Sequence, residues 1–127
     1  MNDPKKKILL VDDLDAIRNI VSARLRIKGF EITKAHDGEE ALRILTDAPE
    51  YFDLILSDFD MPKMNGLELL EKVRSNVALK NKPFIMLTSR TEPEKMKAAK
   101  EIGLSAWVKK PFKVDSFLSQ INYALEK

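Results

Sequence analysis

The stretch that decides the fold runs Leu54-Ile55-Leu56-Ser57-Asp58-Phe59-Asp60-Met61-Pro62-Lys63-Met64-Asn65-Gly66. It opens on a short run, Leu54–Ser57, that is nearly all apolar. It then breaks into two acids, a Met-Pro turn signal and an Asn-Gly pair. An apolar run this short, bounded by turn residues, reads as a strand buried on both faces. Asn65 and Glu68 have the spacing of a capping box, and Leu67, Leu70 and Val73 continue at helical period. The unit is therefore strand, acidic loop, helix.

Working outward, the same unit recurs. Apolar runs stand at Ile8–Val11, Ile32–Ala35, Phe84–Leu87 and Ala106–Val108. The first and third of these are nearly all apolar. The segments around Ile32–Ala35 and Ala106–Val108 mix in polar residues, as strands nearer a sheet edge do. Helical stripes lie between the runs. Leu14, Ile17, Val21 and Leu25 form one, with Gly29 as its stop. Asp37 and Glu40 have capping-box spacing ahead of Ala41, Leu42 and Leu45. Thr91 and Glu94 have it again, with Pro93 tolerated in the first turn. Val114, Phe117, Leu118, Ile121 and Leu125 make the cleanest stripe in the chain.

Alternating strands and helices predict an α/β fold with a doubly wound parallel sheet covered on both faces. Right-handed crossovers bring the C-terminal ends of all strands to one edge, where such sheets bind ligands. Reactive residues should then follow the apolar runs, and they do. Asp12 and Asp13 follow the first, Asp58 and Asp60 the third, Thr88 and Ser89 the fourth, and Lys110-Pro111 the fifth. The second run ends in Ala35-His36, with no acid directly at its tip. His36 has no His, Cys or acid partner at ligand spacing and reads as structural or surface.

The bulk properties exclude several classes. The 127 residues show no linker or change of composition, so residues 1–127 read as one domain. With no cysteine, disulfides and thiolate metal sites are excluded, and a reducing compartment, the cytoplasm, is expected. A net charge of +2 is too mild to argue for direct nucleic-acid binding. No apolar run is long enough to span a bilayer, so membrane insertion is not expected. The basic start, Met1 to Lys7, precedes no apolar region of signal-peptide length. A chain that starts at Met1 and stops just after its last helix suggests a stand-alone form.

Singly, each strand-end residue has an ordinary explanation. An Asp pair caps helices, Met-Pro and Asn-Gly punctuate turns, a Thr at a strand end satisfies its hydroxyl, and a lone Lys is solvated. Together they define a chemistry. Carboxylates gathered at one edge repel, so some are protonated or a cation binds among them. Oxygen donors without His or Cys favour a hard ion, magnesium or manganese. A carboxylate beside such an ion can attack phosphorus and form an acyl phosphate. The Lys110 ammonium and the Thr88 hydroxyl can then stabilise the phosphoryl oxygens.

Leu10-Val11-Asp12-Asp13, the stretch from Asp58 to Gly66, Leu87-Thr88-Ser89 and Lys110-Pro111-Phe112 are together highly specific. Over essentially its whole length the chain resembles the receiver domain of two-component response regulators, of the single-domain chemotaxis type. The resemblance implies a flavodoxin-like strand order 2-1-3-4-5 with five helices. It implies that Asp58 is the phosphoacceptor and that Asp13 and Asp58 hold Mg2+ (or Mn2+) directly. Asp12 would act through water and Asp60 through its backbone carbonyl. Thr88 and Lys110 would contact the phosphoryl group. The Lys110–Pro111 bond would be cis. Trp107 occupies the position of the aromatic residue that changes rotamer with Thr88 on activation, where Tyr or Phe is usual. Asp60 and Arg90 would flank the path of the hydrolysing water and tune the phosphoryl lifetime, in a direction the sequence leaves open. A histidine kinase or His phosphotransfer protein would supply the phosphoryl group. A downstream protein would bind the face formed by the fourth helix, fifth strand and fifth helix, where Lys97, Lys100 and Lys109 suit an acidic patch. No external substrate would be turned over.

Asp58-Phe59-Asp60 is also similar to the D-x-D of haloacid-dehalogenase-type phosphatases. Pro62 stands where that motif takes Thr or Val, the motif lies on the third strand, and too little chain remains for the usual additional core and cap. A receiver that no longer accepts phosphate is a further alternative, but every reactive position is filled.

Overall fold

A computed structural model describes residues 4–110 and 113–126. The strands are β1 (Lys7–Val11), β2 (Glu31–Ala35), β3 (Leu54–Ser57), β4 (Phe84–Thr88) and β5 (Ala106–Lys109). The helices are α1 (Asp15–Ile27), α2 (Gly38–Asp47), α3 (Gly66–Arg74), α4 (Pro93–Ile102) and α5 (Val114–Glu126). The strands form one parallel sheet in the order β2-β1-β3-β4-β5, as the resemblance implied. The two polar-mixed strands, β2 and β5, take the edges, and the apolar runs take the centre.

Strand alternation divides the core in two. Ile8, Leu10, Leu54, Leu56, Ile85 and Leu87 face α1 and α5, meeting Val21, Leu25, Phe117 and Ile121. Leu9, Val11, Ile55, Phe84 and Met86 face the opposite layer, meeting Ala41, Leu45, Leu69, Leu70, Val73 and Ala99. Each such fully buried aliphatic side chain contributes about 1.5–3 kcal/mol. The sheet needs both layers, because its central strands expose neither face.

Three helix starts depart from a simple reading of the sequence. The Thr91–Glu94 capping box does not form. Pro93 takes the first helical position, and Glu92 before it is pushed into extended backbone, so the helix begins one residue too late for Thr91 to cap it. At α2, Asp37 accepts the Glu40 N–H at 2.8 Å, but the Glu40 carboxylate accepts from the His36 backbone and ring instead of from Asp37. Among the helix starts described, the box is reciprocal at α3, between Asn65 and Glu68. Leu14 caps α1 and is 56% exposed, outside the buried stripe. The Lys110–Pro111 bond and Phe112 involve residues outside those described.

Candidate functional site

The ladder hydrogen bonds continue past the strand ends, and that places the reactive residues. The Asp12 N–H bonds the Ala35 carbonyl at 3.1 Å, the Asp58 N–H bonds the Val11 carbonyl at 2.9 Å, and the Lys110 N–H bonds the Thr88 carbonyl at 2.9 Å. Each residue is thus locked in register just beyond the C-terminal edge of the sheet.

The side chains converge there. The Lys110 ammonium lies 3.1 Å from Asp12 Oδ2 and 3.4 Å from Asp58 Oδ2. The other Asp12 oxygen accepts the Leu14 N–H at 2.9 Å. Asp58 Oδ1 accepts the Phe59 N–H at 2.7 Å, which fixes the rotation of its carboxylate. Desolvation raises the Asp58 pKa above the ordinary aspartate value. The Lys110 charge opposes that rise, and the Asp12 charge adds to it. Asp13 makes no hydrogen bond or ion pair with a described residue. Asp12, Asp13 and Asp58 each offer an oxygen within 4.8 Å of the others. Hard carboxylate oxygens at this spacing, one from a carboxylate with no protein partner, fit a divalent cation such as magnesium. No hydrogen bond from a described residue takes the Asp60 carbonyl, which leaves it available as another oxygen donor.

The loop after β3 is held by close backbone contact. A Cβ on Gly66 would meet the Asp58 carbonyl at 2.3 Å and the Met86 sulfur at 2.7 Å. A Cβ on Gly38 would meet the Met64 carbonyl at 2.5 Å, so the loop after β2 lies directly against the loop after β3. Both positions require glycine because chain approaches chain.

Thr88 is fully buried at the tip of β4, and its hydroxyl oxygen accepts the Arg90 N–H at 3.2 Å. That leaves the hydroxyl proton to be donated. Arg90 is the hub of the loop after β4. Its guanidinium donates to both Asp60 oxygens at 2.7–2.9 Å and to Glu92 at 2.9 Å. It also stands over the Phe59 ring, 5.1 Å from its centroid, with Lys95 at 5.9 Å. These two acids hold the Arg90 pKa well above its ordinary value. The Arg90 carbonyl accepts the Trp107 indole N–H at 3.2 Å, and the Trp107 ring lies 5.9 Å from Phe59. An indole can therefore hold this loop by a hydrogen bond, as a tyrosine hydroxyl would.

The structure thus brings Asp12, Asp13, Asp58 and Lys110 together, with Thr88 on the adjoining strand tip. It pairs Asp60 with Arg90 and joins Trp107 to the same loop. Sequence reasoning missed Phe59, Glu92 and Lys95. An aromatic residue between two acids was the available signal for Phe59; nothing marked the other two. His36 needs a correction. Its Nδ1 bonds Glu40 at 2.7 Å and its Nε2 lies 3.4 Å from Asp37, so it has acid partners, and they tie it to the start of α2.

Residues 8–122 match the model of the response regulator receiver domain family, and the chain belongs to that family. It is 37% identical over 118 residues to a probable chemotaxis protein CheY of Rhizobium etli, covering 92% of this chain and 90% of that protein. It is 34% identical over 122 residues to chemotaxis protein CheY-3 of Vibrio cholerae, covering 95% and 92%. Among solved structures it superimposes on the chemotaxis response regulator CheY4 of Vibrio cholerae with a TM-score of 0.87 at 39% identity, covering 95% and 99% of the two chains. A CheY-like receiver domain protein from Methanospirillum hungatei gives 0.89 at 31% identity, covering 97% and 95%.

Proposed function

We propose that this receiver accepts a phosphoryl group on Asp58 in a two-component phosphorelay and thereby alters a protein-binding surface. The observation that carries this is the Lys110 ammonium bridging Asp12 and Asp58 beside the unengaged carboxylate of Asp13. Asp13, Asp58 and the Asp60 carbonyl would hold Mg2+, with Mn2+ as a substitute. Both Asp12 oxygens are engaged, which favours its acting through water. The ion supplies charge neutralisation at the phosphoryl oxygens. A bond forms from the Asp58 carboxylate to phosphorus as the bond from phosphorus to the donor breaks. Lys110 stabilises the oxygens on one side, and the Thr88 hydroxyl donates from another. The chain works on its own aspartate and turns over no external substrate.

Asp60 and Arg90 set the lifetime of the phosphoryl group. Bound in a fork, the Asp60 carboxylate is a poor base for water, so the pairing slows hydrolysis. Thr88 and Trp107 form the switch. When Thr88 turns toward the phosphoryl group, the Arg90 N–H it holds moves as well, and with it the carbonyl that anchors Trp107.

The donor is a histidine kinase or a His phosphotransfer protein. The target binds the face of α4, β5 and α5, where Lys97, Lys100 and Lys109 attract an acidic patch. The chemotaxis proteins among its relatives support a motility role. The chain acts as a single receiver domain over residues 1–127, in the cytoplasm, without contacting nucleic acid or entering a membrane. No helix among the described residues is long and apolar enough to cross one.

Magnesium tests the site. Binding to the folded state alone raises the melting temperature by mass action. Wild type is expected to gain stability at millimolar magnesium and Asp13→Ala to lose most of that gain. A melting temperature indifferent to magnesium would sink the assignment.

A further inference from the structure

At the edge of the sheet opposite Asp58, where β4 and β5 begin, lies an open pocket of about 580 Å³. It is bordered by the loop from α3 to β4, the turn from α4 to β5 and the later turns of α5. Arg74, Lys80 and Lys82 all line it, and no acid does so among the described residues. At the Asp58 edge, by contrast, the Lys110 ammonium meets Asp12 and Asp58.

Arg74 ends α3 and is half-buried. Its guanidinium donates to the Gly103 carbonyl from Nε at 3.0 Å and from Nη2 at 2.8 Å. Its Nη1 donates to the Lys80 and Lys82 carbonyls at 3.1 and 2.7 Å. One N–H on Nη2 is left without a bond to a described residue. The carbonyls satisfy hydrogen bonds but carry no formal charge. Burial therefore pulls the Arg74 pKa below its ordinary value, and no acid among the described residues offsets that. A cation withdrawn from water is costly unless an opposite charge stands by it. Neither lysine supplies one. The Lys82 ammonium donates to the Phe52 carbonyl at 2.7 Å, and the Lys80 ammonium bonds no described residue. What these groups lack is an anion.

The rest of the lining suits a flat, polar body. Tyr123 is 61% exposed and lines the pocket together with Ser105, Ser119 and Gln120. The Ser105 oxygen accepts the Phe84 N–H at 3.0 Å, which leaves its hydroxyl proton to be donated. An aromatic face binds a planar ring by stacking, and an amide can bond the ring's edge. A phosphate group matches the charge and the planar donor geometry of a guanidinium. The volume lies within the roughly 300–1,000 Å³ of ordinary small-molecule sites. We propose that this pocket binds a small phosphate monoester with a planar ring, as in a nucleotide, its phosphate held by Arg74 and Lys80 and its ring against Tyr123. The site is separate from Asp58 and needs neither its phosphorylation nor a metal.

The experiment titrates adenosine monophosphate into isotope-labelled protein at constant ionic strength without magnesium, and follows backbone amide shifts by NMR. Adenosine and a short polyglutamate peptide are titrated in parallel. Saturable shifts at millimolar ligand are expected at the amides of Gly103, Leu104 and Ser105, with those of Phe59 and Arg90 at the Asp58 edge unmoved. Adenosine, without the phosphate, is expected to bind at least about tenfold more weakly. Lys80 is exposed and its side chain bonds no described residue, so Lys80→Glu is expected to keep the wild-type melting temperature. It is expected to weaken adenosine monophosphate about tenfold or more, through the lost attraction and the new repulsion. No shift at these amides, or shifts confined to the Asp58 edge, overturns the proposal. Binding that Lys80→Glu leaves unchanged, or that adenosine matches, overturns it as well. A polyglutamate peptide that moves the same amides more tightly than adenosine monophosphate gives the surface to a protein partner and overturns the small-molecule assignment.

Discussion

Replacing Gly66 by alanine tests how Asp58, the proposed phosphoacceptor, is held. The added Cβ would stand 2.3 Å from the Asp58 carbonyl oxygen, 2.7 Å from the Met86 sulfur and 3.0 Å from the Phe59 Cα. The backbone must move by about 1 Å, because a close-packed interior has no slack of that size. It cannot move freely. The Asp58 carbonyl accepts the Ser57 hydroxyl at 2.8 Å, and the Gly66 N–H bonds the Phe59 carbonyl at 2.8 Å. Overpacking of this kind costs about 2–3 kcal/mol. For a domain of this length each kcal/mol lowers the melting temperature by about 3–4 °C, so a fall of about 6–12 °C is expected. Because Asp58 itself is displaced, labelling by an acyl phosphate is expected to slow by about 100-fold. Gly29→Ala is the control. Gly29 has φ +99° with nothing within 4 Å of its Cβ position, so only the left-handed backbone penalises alanine there, by about 1–2 kcal/mol. Thermal unfolding and intact-mass labelling read both variants. If Gly66→Ala melts with Gly29→Ala and labels at the wild-type rate, the contact with Asp58 does not position it.

The raised Asp58 pKa predicts a pH dependence without magnesium. A carboxyl whose pKa is higher in the folded state contributes stability below its unfolded pKa and loses it as pH rises through the folded value. Asp58→Asn is therefore expected to be more stable than wild type at neutral pH, with the difference vanishing below about pH 4; equal stability at neutral pH contradicts the cause assigned to the shift. Arg90→Ala frees the Asp60 carboxylate to act as a base, so dephosphorylation is expected to quicken by about tenfold. A rate unchanged or slower rejects the fork as a shield. In the same samples, Trp107 emission is expected to shift when beryllofluoride occupies the wild-type site and to stay constant in Asp58→Asn.

The fold was legible because period and position agreed. Nearly all-apolar runs such as Leu54–Ser57 belong to central strands, and polar-mixed ones belong to edges, so strand burial and edge position followed from residue type. The strand-tip rule located Asp12, Asp13, Asp58, Thr88 and Lys110 because topology alone gathers them. Local helix starts were less legible. The Thr91–Glu94 spacing satisfied a motif, yet the fixed geometry of Pro93 overrode it. The Asp60–Arg90 fork joins residues 30 positions apart, and their meeting depends on how two loops lean together. The exposure of Ile20 and Ile27 was not legible either, because it follows only from how α1 packs.

The proposed function requires that Asp58 alone take the phosphoryl group, and with a divalent cation. The most direct measurement is intact mass, with the modified peptide located, after incubation with acetyl phosphate and magnesium. A single phosphoryl adduct on Asp58 is expected in wild type, none without magnesium, and none in Asp58→Asn. An adduct that persists in Asp58→Asn, or that forms equally well with the cation chelated, would contradict it.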